Sequence, residues 1–499
     1  MRLPPPLAAV LLLAAAALLS VAAGCTRRDP DFCCVTADTC AAAGLTDELR
    51  PCEIGQACNA YACVAAECAT SADCASPEAP RCLDGLCVAG CTIDDDCAGV
   101  AGRPRCDVRV ATCVGCTAGD QCPAERSICD VEARACRGCT ADDECASGVC
   151  IEATGACAAE DAIIYVMESG TDAGTCPKAA PCQTLAYAMG LTSPARSVIR
   201  IVGGQFHLGN NSIYLRNAVT IDGSDTTLTY GSLPAITVGG AGILEGVRLA
   251  STQASMTLIE IIAGGSLGLS HFLIEDGRIE IAAGGVLDAV NITLRSGEVR
   301  CNFGGTLALK KSNLEQVYVD SSCKLVLAES RVEPRSGAQP TAALFRGESS
   351  QLIENNVFIG SGVETYLMFI GGASGSTFRF NTVVNRSSVL GSAIAIGCDD
   401  GVDVTSNIIA YNSTSPVSCV ARYSLFDTAA AQEVSRGVGN RSAEIGTFFR
   451  GRQAGDFHLT PKSPAIGFGE PGLTPNDIEG NARPAPLGTM PDVGAYEVP

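Results

Sequence analysis

From residue 163 onward, short apolar runs alternate with clusters of Gly, Ser, Asn and Asp. Runs such as Val198-Ile199-Arg200-Ile201 and Val219-Thr220-Ile221 are brief and β-branched, which predicts strands. Helical spacing does not fill the gaps between them. The runs also recur at a fixed period. Gly264-Gly265-Ser266-Leu267, Gly284-Gly285-Val286-Leu287 and Gly304-Gly305-Thr306-Leu307 lie twenty residues apart, and Leu325 extends the leucine column. Asn356-Val357-Phe358, Asn381-Thr382-Val383 and Asn407-Ile408-Ile409 then recur at 25 and 26 residues. A period of this length without helices predicts one solenoid turn per repeat. Apolar side chains would stack inward in columns, and stacked Asn would hydrogen-bond along the ladder. The fold class this predicts is all-β, a coiled parallel solenoid that starts at residue 163.

The preceding stretch has a different organisation. Between Cys33 and Cys157 there are 22 cysteines and too few apolar residues for an ordinary core. Four blocks start at Cys68, Cys91, Cys116 and Cys139, each with five residues between its first two cysteines. The starts are 23, 25 and 23 residues apart, so 68–157 reads as four disulfide-rich repeats forming a stalk, with an irregular Cys-rich segment over 25–67. Four cysteines allow two bridges per repeat, and the spacing does not say which cysteines pair. The C-x2-C pairs Cys113/Cys116 and Cys136/Cys139 match zinc-ribbon spacing, but both straddle repeat boundaries, and exported thiols oxidise before they capture zinc. Residues 26–160 carry 23 Asp and Glu against ten Arg and no Lys, giving the stalk a net charge of −13.

At the N-terminus, Arg2 precedes an apolar stretch from Leu7 to Ala23, too short for a membrane span and suited to a signal-peptide core over 1–24. Ala22-Ala23-Gly24-Cys25 resembles a bacterial lipobox, which implies cleavage before Cys25 and its acylation. Thr26 resembles the outer-membrane-sorted class. Removing Cys25 from the 29 cysteines leaves 28, an even number able to pair completely. The resemblance thus implies an exported, lipid-anchored outer-membrane protein whose membrane contact is its acyl chains.

The second half resembles the right-handed parallel β-helices of the pectate-lyase-like superfamily. Tyr165-Val166 with Gly170-Thr171-Asp172, then Pro181-Cys182-Gln183-Thr184-Leu185, is similar to the strand and cap helix that open many secreted members. Asp456-Phe457-His458-Leu459, Asp477-Ile478-Glu479-Gly480-Asn481 and Asp492-Val493-Gly494-Ala495-Tyr496-Glu497 resemble the closing block of bacterial surface β-helix proteins of the choice-of-anchor type, which implies a parallel β-helix over 163–425 and a capping block over 426–499. The remaining cysteines suggest staples: Cys176 with Cys182, Cys301 with Cys323, and Cys398 with Cys419, the last two about one coil apart.

Composition narrows the function. A formal charge of −20 with five lysines and no basic run argues against nucleic acid as a partner. Ser266 sits in a G-x-S-x-G match, but it aligns with Val286 and Thr306 as one solenoid position among equivalents, so it is no nucleophile elbow. The resemblance implies a possible polysaccharide lyase or hydrolase, for which Arg295, Lys310 and Arg331 are the candidate charged groups. The Gly-His-Gly of the hydrolases is absent, and the three histidines are His207, His271 and His458. No cofactor is called for, except that Asp94, Asp96, Asp142 and Asp143 are weak calcium candidates lacking the D-x-D-x-D-G loop. Without tryptophan, a sugar platform would rest on Tyr214, Tyr230, Tyr318, Tyr366 or Tyr411. The expected role is binding or adhesion to a polysaccharide or surface protein, with catalysis as the alternative.

Overall fold

A computed structural model describes Cys33, Cys52 and residues 56–498, apart from 60–61, 77, 84, 119–120, 209–211, 232, 251–255, 335–340, 348–349, 361–365, 373–374 and 386–393. The signal segment and Cys25 lie outside the described residues. One compact unit ends at Gly138 and the second runs Cys139–Pro499.

In the first unit each repeat is a short antiparallel hairpin, such as Arg105–Asp107 paired with Thr112–Val114. Each is stapled first-to-third and second-to-fourth: Cys68–Cys82 with Cys74–Cys87, Cys91–Cys106 with Cys97–Cys113, and Cys116–Cys129 with Cys122–Cys136. The irregular segment holds Cys33–Cys58 and Cys52–Cys63. In the second repeat the buried cluster is Cys91, Cys97, Val100, Cys106 and Cys113, so the cystines themselves form the core.

The second unit opens with the fourth repeat, bridged Cys139–Cys150 and Cys145–Cys157. Strand Ile163–Val166 and the cap helix Leu185–Gly190 follow, and a continuous ladder of 30 strands begins at Ile163. Three faces stack in parallel register. The first contains Ser266–Ser270, Val286–Val290, Thr306–Lys310 and Lys324–Ala328; the second, Leu273–Glu275 and Thr293–Arg295; the third, Thr257–Ile261, Arg278–Ile281 and Glu298–Cys301. Leu267, Leu287, Leu307 and Leu325 form one fully buried column, and Ser266, Val286 and Thr306 stand in register on the outside. The paired glycines of the twenty-residue repeat mark one corner. Gly264, Gly284 and Gly304 hold φ of 76–82°, a left-handed turn that an L side chain strains.

The corner between the first and second faces turns through a single left-handed residue: His271, Asn291, Lys311, Glu329, Asn355, Phe380, Ser406 and Tyr423 in successive coils. The residue after it points inward. In the early coils this is Phe272 or Ile292; later it becomes Ser312, Ser330, Asn356, Asn381, Asn407 and Ser424, all buried. From Ser330 onward these side chains accept the backbone N–H of the preceding coil's equivalent residue. Ser330 N donates to Asn356 Oδ1 (2.9 Å), Asn356 N to Asn381 Oδ1 (3.0 Å) and Asn381 N to Asn407 Oδ1 (2.8 Å). The turn's amides thereby find partners in a place closed to water.

The C-terminal block covers the far half of the second face. Phe448, Phe457, Val493 and Ala495 pack on Val357, Ile359, Val384 and Ile408. Arg483 is buried beside Glu497 (3.2 Å) with its guanidinium 4.4 Å from the Phe380 ring centroid. His458 stands between Asp456 (2.6 Å) and Glu479 (2.9 Å). Desolvation opposes its charge, but the hydrogen bonds to both carboxylates outweigh it and raise the imidazole pKa. The linked stability is therefore fully present below the unfolded value and lost as pH rises through the raised one. Tm of wild type and His458→Gln should differ at pH 5.5 and converge by pH 8.5; a gap that widens with pH would contradict this pairing.

Candidate binding face

Among the described residues the closing block packs on the second face, and the outward side chains of the third form two rows. One row reads Glu260, Glu280, Arg300, Asp320, Leu344, Phe369, Gly397 in consecutive register. At about 4.8 Å per rung these seven positions span about 29 Å, enough for an oligosaccharide. Beside it run Thr257, Arg278, Glu298 and Tyr318. Alternation along each strand, apolar inward and polar outward, is what places them there.

Glu298 joins the rows, accepting from Arg278 Nε (2.8 Å) and Arg300 Nε (2.5 Å). The hydrogen bond that Arg300 donates to Glu298 raises the Arg300 pKa, and the charges of Glu298, Asp320 and Glu280 add to it. Tyr318 is likewise held up, first by desolvation and then by the Asp320 charge. Further along, Tyr366 and Phe369 meet edge to face at 6.1 Å, half-exposed. They crowd Gly397, where an added Cβ would come within 2.7 Å of Phe369 and 2.8 Å of Tyr366. Only glycine lets this aromatic pair lie down on the sheet. Carboxylates and guanidinium groups along one stretch, followed by exposed ring edges, can hydrogen-bond hydroxyls and pack against C–H surface.

The residues singled out in the sequence lie elsewhere. Arg295 is on the second face between Glu275 (3.5 Å) and Glu315 (3.2 Å). Arg331 donates to Gly455 O (3.4 Å) and lies over the Phe457 ring, tied to the closing block. Lys310 ends a first-face strand and is exposed. Tyr411 is buried in the core and offers no platform. Bridges join Cys176–Cys182, Cys301–Cys323 and Cys398–Cys419.

Several acidic residues of the repeats accept backbone N–H groups. The residue before each second cysteine accepts turn N–H groups: Asp73 from Ala69 and Thr70, Asp96 from Thr92 and Ile93, Gln121 from Thr117 and Ala118, Glu144 from Thr140. Burial works against the Asp96 carboxylate, but these donors hold its pKa below the ordinary value. Neutral Gln121 fills the same role, so the position needs an acceptor and not a charge. Asp94 accepts from Cys106 N (2.8 Å) and Asp142 from Cys150 N (2.9 Å), while Asp143 is exposed. Among the described residues, the groups close enough to share a metal are cysteines already bridged, such as Cys91, Cys97 and Cys113.

The fourth repeat rests on the coils through a cleft of about 300 Å³ lined by Asp142, Glu152, Asp222, Glu245 and His271 among others. Arg200 bridges Asp142 and Asp222. Glu245 accepts Glu152 N (3.2 Å) and Ala153 N (2.9 Å), and His271 meets Glu152 at 2.5 Å. Burial raises the pKa of both Asp222 and Glu245. Sequence reasoning missed this docking, since the partners are 58 to 119 positions apart and share no motif.

No known protein family matches the chain, and no curated protein does. Among solved structures the chain is similar to the pectate lyase Pel9A, at 12% identity and a TM-score of 0.35, covering 68% of this chain and 100% of that one. It is also similar to a rhamnogalacturonan lyase at 14% identity and a TM-score of 0.33, covering 58% and 90%. The protein is a parallel β-helix preceded by small disulfide-rich hairpin modules. Likeness at these scores bears on neither activity nor substrate.

Proposed function

We propose that this chain is an outer-membrane lipoprotein that displays a pectate-lyase-like β-helix on a bridged stalk, and that its third face binds polysaccharide without cleaving it. One observation carries the second half. The arginine best placed on that face, Arg300, is driven further from neutrality by Glu298, whereas a proton-abstracting base needs a pKa brought toward the working pH. Half-exposed Tyr366 and Phe369 beside the charged row suit an extended sugar chain. The full mature protein should be retained on a polysaccharide column, and retention should fall about tenfold in Phe369→Ala, from lost ring contact. Unchanged retention in that variant would remove the third face from the account.

The lipid anchor rests on Ala22-Ala23-Gly24-Cys25. Palmitate label should enter the wild-type protein and be absent from Cys25→Ala, which should leave the membrane fraction. Label retained in that variant would refute acylation at Cys25. A second reading, a polysaccharide hydrolase or lyase, draws on Asp222 and Glu245, two carboxylates with raised pKa in one cleft. Against it, Glu245 is occupied by two backbone N–H groups and Asp222 by Arg200.

A further inference from the structure

The cap helix Leu185–Gly190 and the first coil enclose a cleft of about 290 Å³, at the lower limit of small-molecule sites. Its apolar part is Leu185, Met189, Leu208 and Ile213, and His207 and Tyr214 supply polar edges. Among the described residues, no Asp, Glu, Lys or Arg lines it, in a chain whose net charge is −20. Other clefts differ: one holds Asp142, Asp222 and Glu245, and another Glu152 and Asp288.

We infer that this cleft is a separate binding site for one or two rings of a neutral saccharide, with the sugar's C–H face on the apolar side chains. Tyr214 is 41% exposed yet clamped. The Arg216 guanidinium lies 4.8 Å from its ring centroid, and its hydroxyl end lies across Gly239, where a Cβ would come within 2.6 Å of the oxygen. An aromatic surface that is both exposed and held loses little freedom on binding, which favours stacking. His207 Nδ1 meets Thr229 Oγ1 at 2.8 Å, which orients the ring and leaves Nε2 for a ligand hydroxyl. The helix side is also held firm. Asp172 accepts the N–H of Gln183 and Thr184 and the Thr184 hydroxyl (2.7 Å), Thr184 caps the helix through Tyr187 N (3.2 Å), and Cys176–Cys182 closes the loop before it. A uronate or phosphosugar would bring its charge against a lining that supplies no cation, the nearby Arg216 being stacked on the Tyr214 ring, and an unpaired buried charge is costly. A wholly apolar ligand would cover His207 Nε2 and offer it no hydrogen bond.

Saturation-transfer NMR on the full mature protein, with neutral hexoses, 6-deoxyhexoses and the matching uronic acids as probes, tests this site. Transfer should reach the protons of one sugar face, favour neutral sugars over uronates, and weaken about tenfold in Tyr214→Ala. Tyr214→Phe, which keeps the ring, should retain binding and show that the fold survives change there. The series is run in a Phe369→Ala background, where sugar held at the third face no longer contributes, so failure of one site is told apart from failure of the other. Equal transfer to uronates, unchanged transfer in Tyr214→Ala, or no transfer to any neutral sugar would overturn the assignment.

Discussion

Replacing Asn381 by alanine is expected to destabilise the solenoid by about 3–5 kcal/mol, because several buried groups lose their partners at once and each unsatisfied group costs about 1–3 kcal/mol. Asn381 Oδ1 accepts from both Asn356 N and Asn356 Nδ2 at 3.0 Å. Its Nδ2 donates to Ile353 O (2.9 Å) and to Asn407 Oδ1 (3.2 Å). The side chain is fully buried, so water cannot substitute. Asn302, exposed at a glycine corner, serves as control, and Asn302→Ala should stay within about 0.5 kcal/mol of wild type. Urea denaturation followed by circular dichroism reads both. An Asn381→Ala variant as stable as Asn302→Ala would show that the ladder follows the fold instead of supporting it.

Reduction is expected to divide the molecule. The three repeats from Cys68 to Cys136 have bridges closing 13 to 16 residues, each contributing about 3 kcal/mol. With two per repeat and a core built from the cystines, reduced repeats have almost nothing left to bury. In the solenoid, by contrast, Cys301–Cys323 and Cys398–Cys419 join coils that backbone ladders and buried leucine and phenylalanine columns already hold. Under a mild reductant, protease should digest 68–136 while the coil region persists as a large fragment that keeps its β signal. Loss of both at one reductant concentration would mean that the solenoid also depends on its bridges.

The β-helix was legible because a solenoid repeats its physics. The Gly264, Gly284 and Gly304 pairs mark a left-handed corner, and Asn356, Asn381 and Asn407 mark a buried one, so periodicity exposes both. The repeat array was legible for the same reason, but not its pairing, because first-to-third bridging depends on hairpin geometry that spacing does not encode. The candidate face was hidden. Glu260, Glu280, Arg300 and Asp320 are ordinary charged residues until the twenty-residue register lines them up, and Phe369 joins them only through variable coils. Arg295 and Arg331 are candidate charged groups in sequence, and only their neighbours show that Glu275, Glu315 and the closing block occupy them. The acidic turns are ambiguous in sequence, since an acceptor for a turn amide and a cation ligand require the same residue types.

The central claim, a third face that binds without cutting, is tested most directly by incubating the full mature protein with a polysaccharide panel, with and without calcium. Bound sugar and newly formed reducing or unsaturated ends are measured in the same samples. The account predicts retention of at least one polysaccharide, weakened in Phe369→Ala, with no new ends at any time. New ends that accumulate with turnover and disappear in Arg300→Ala would contradict it and place the protein among the enzymes.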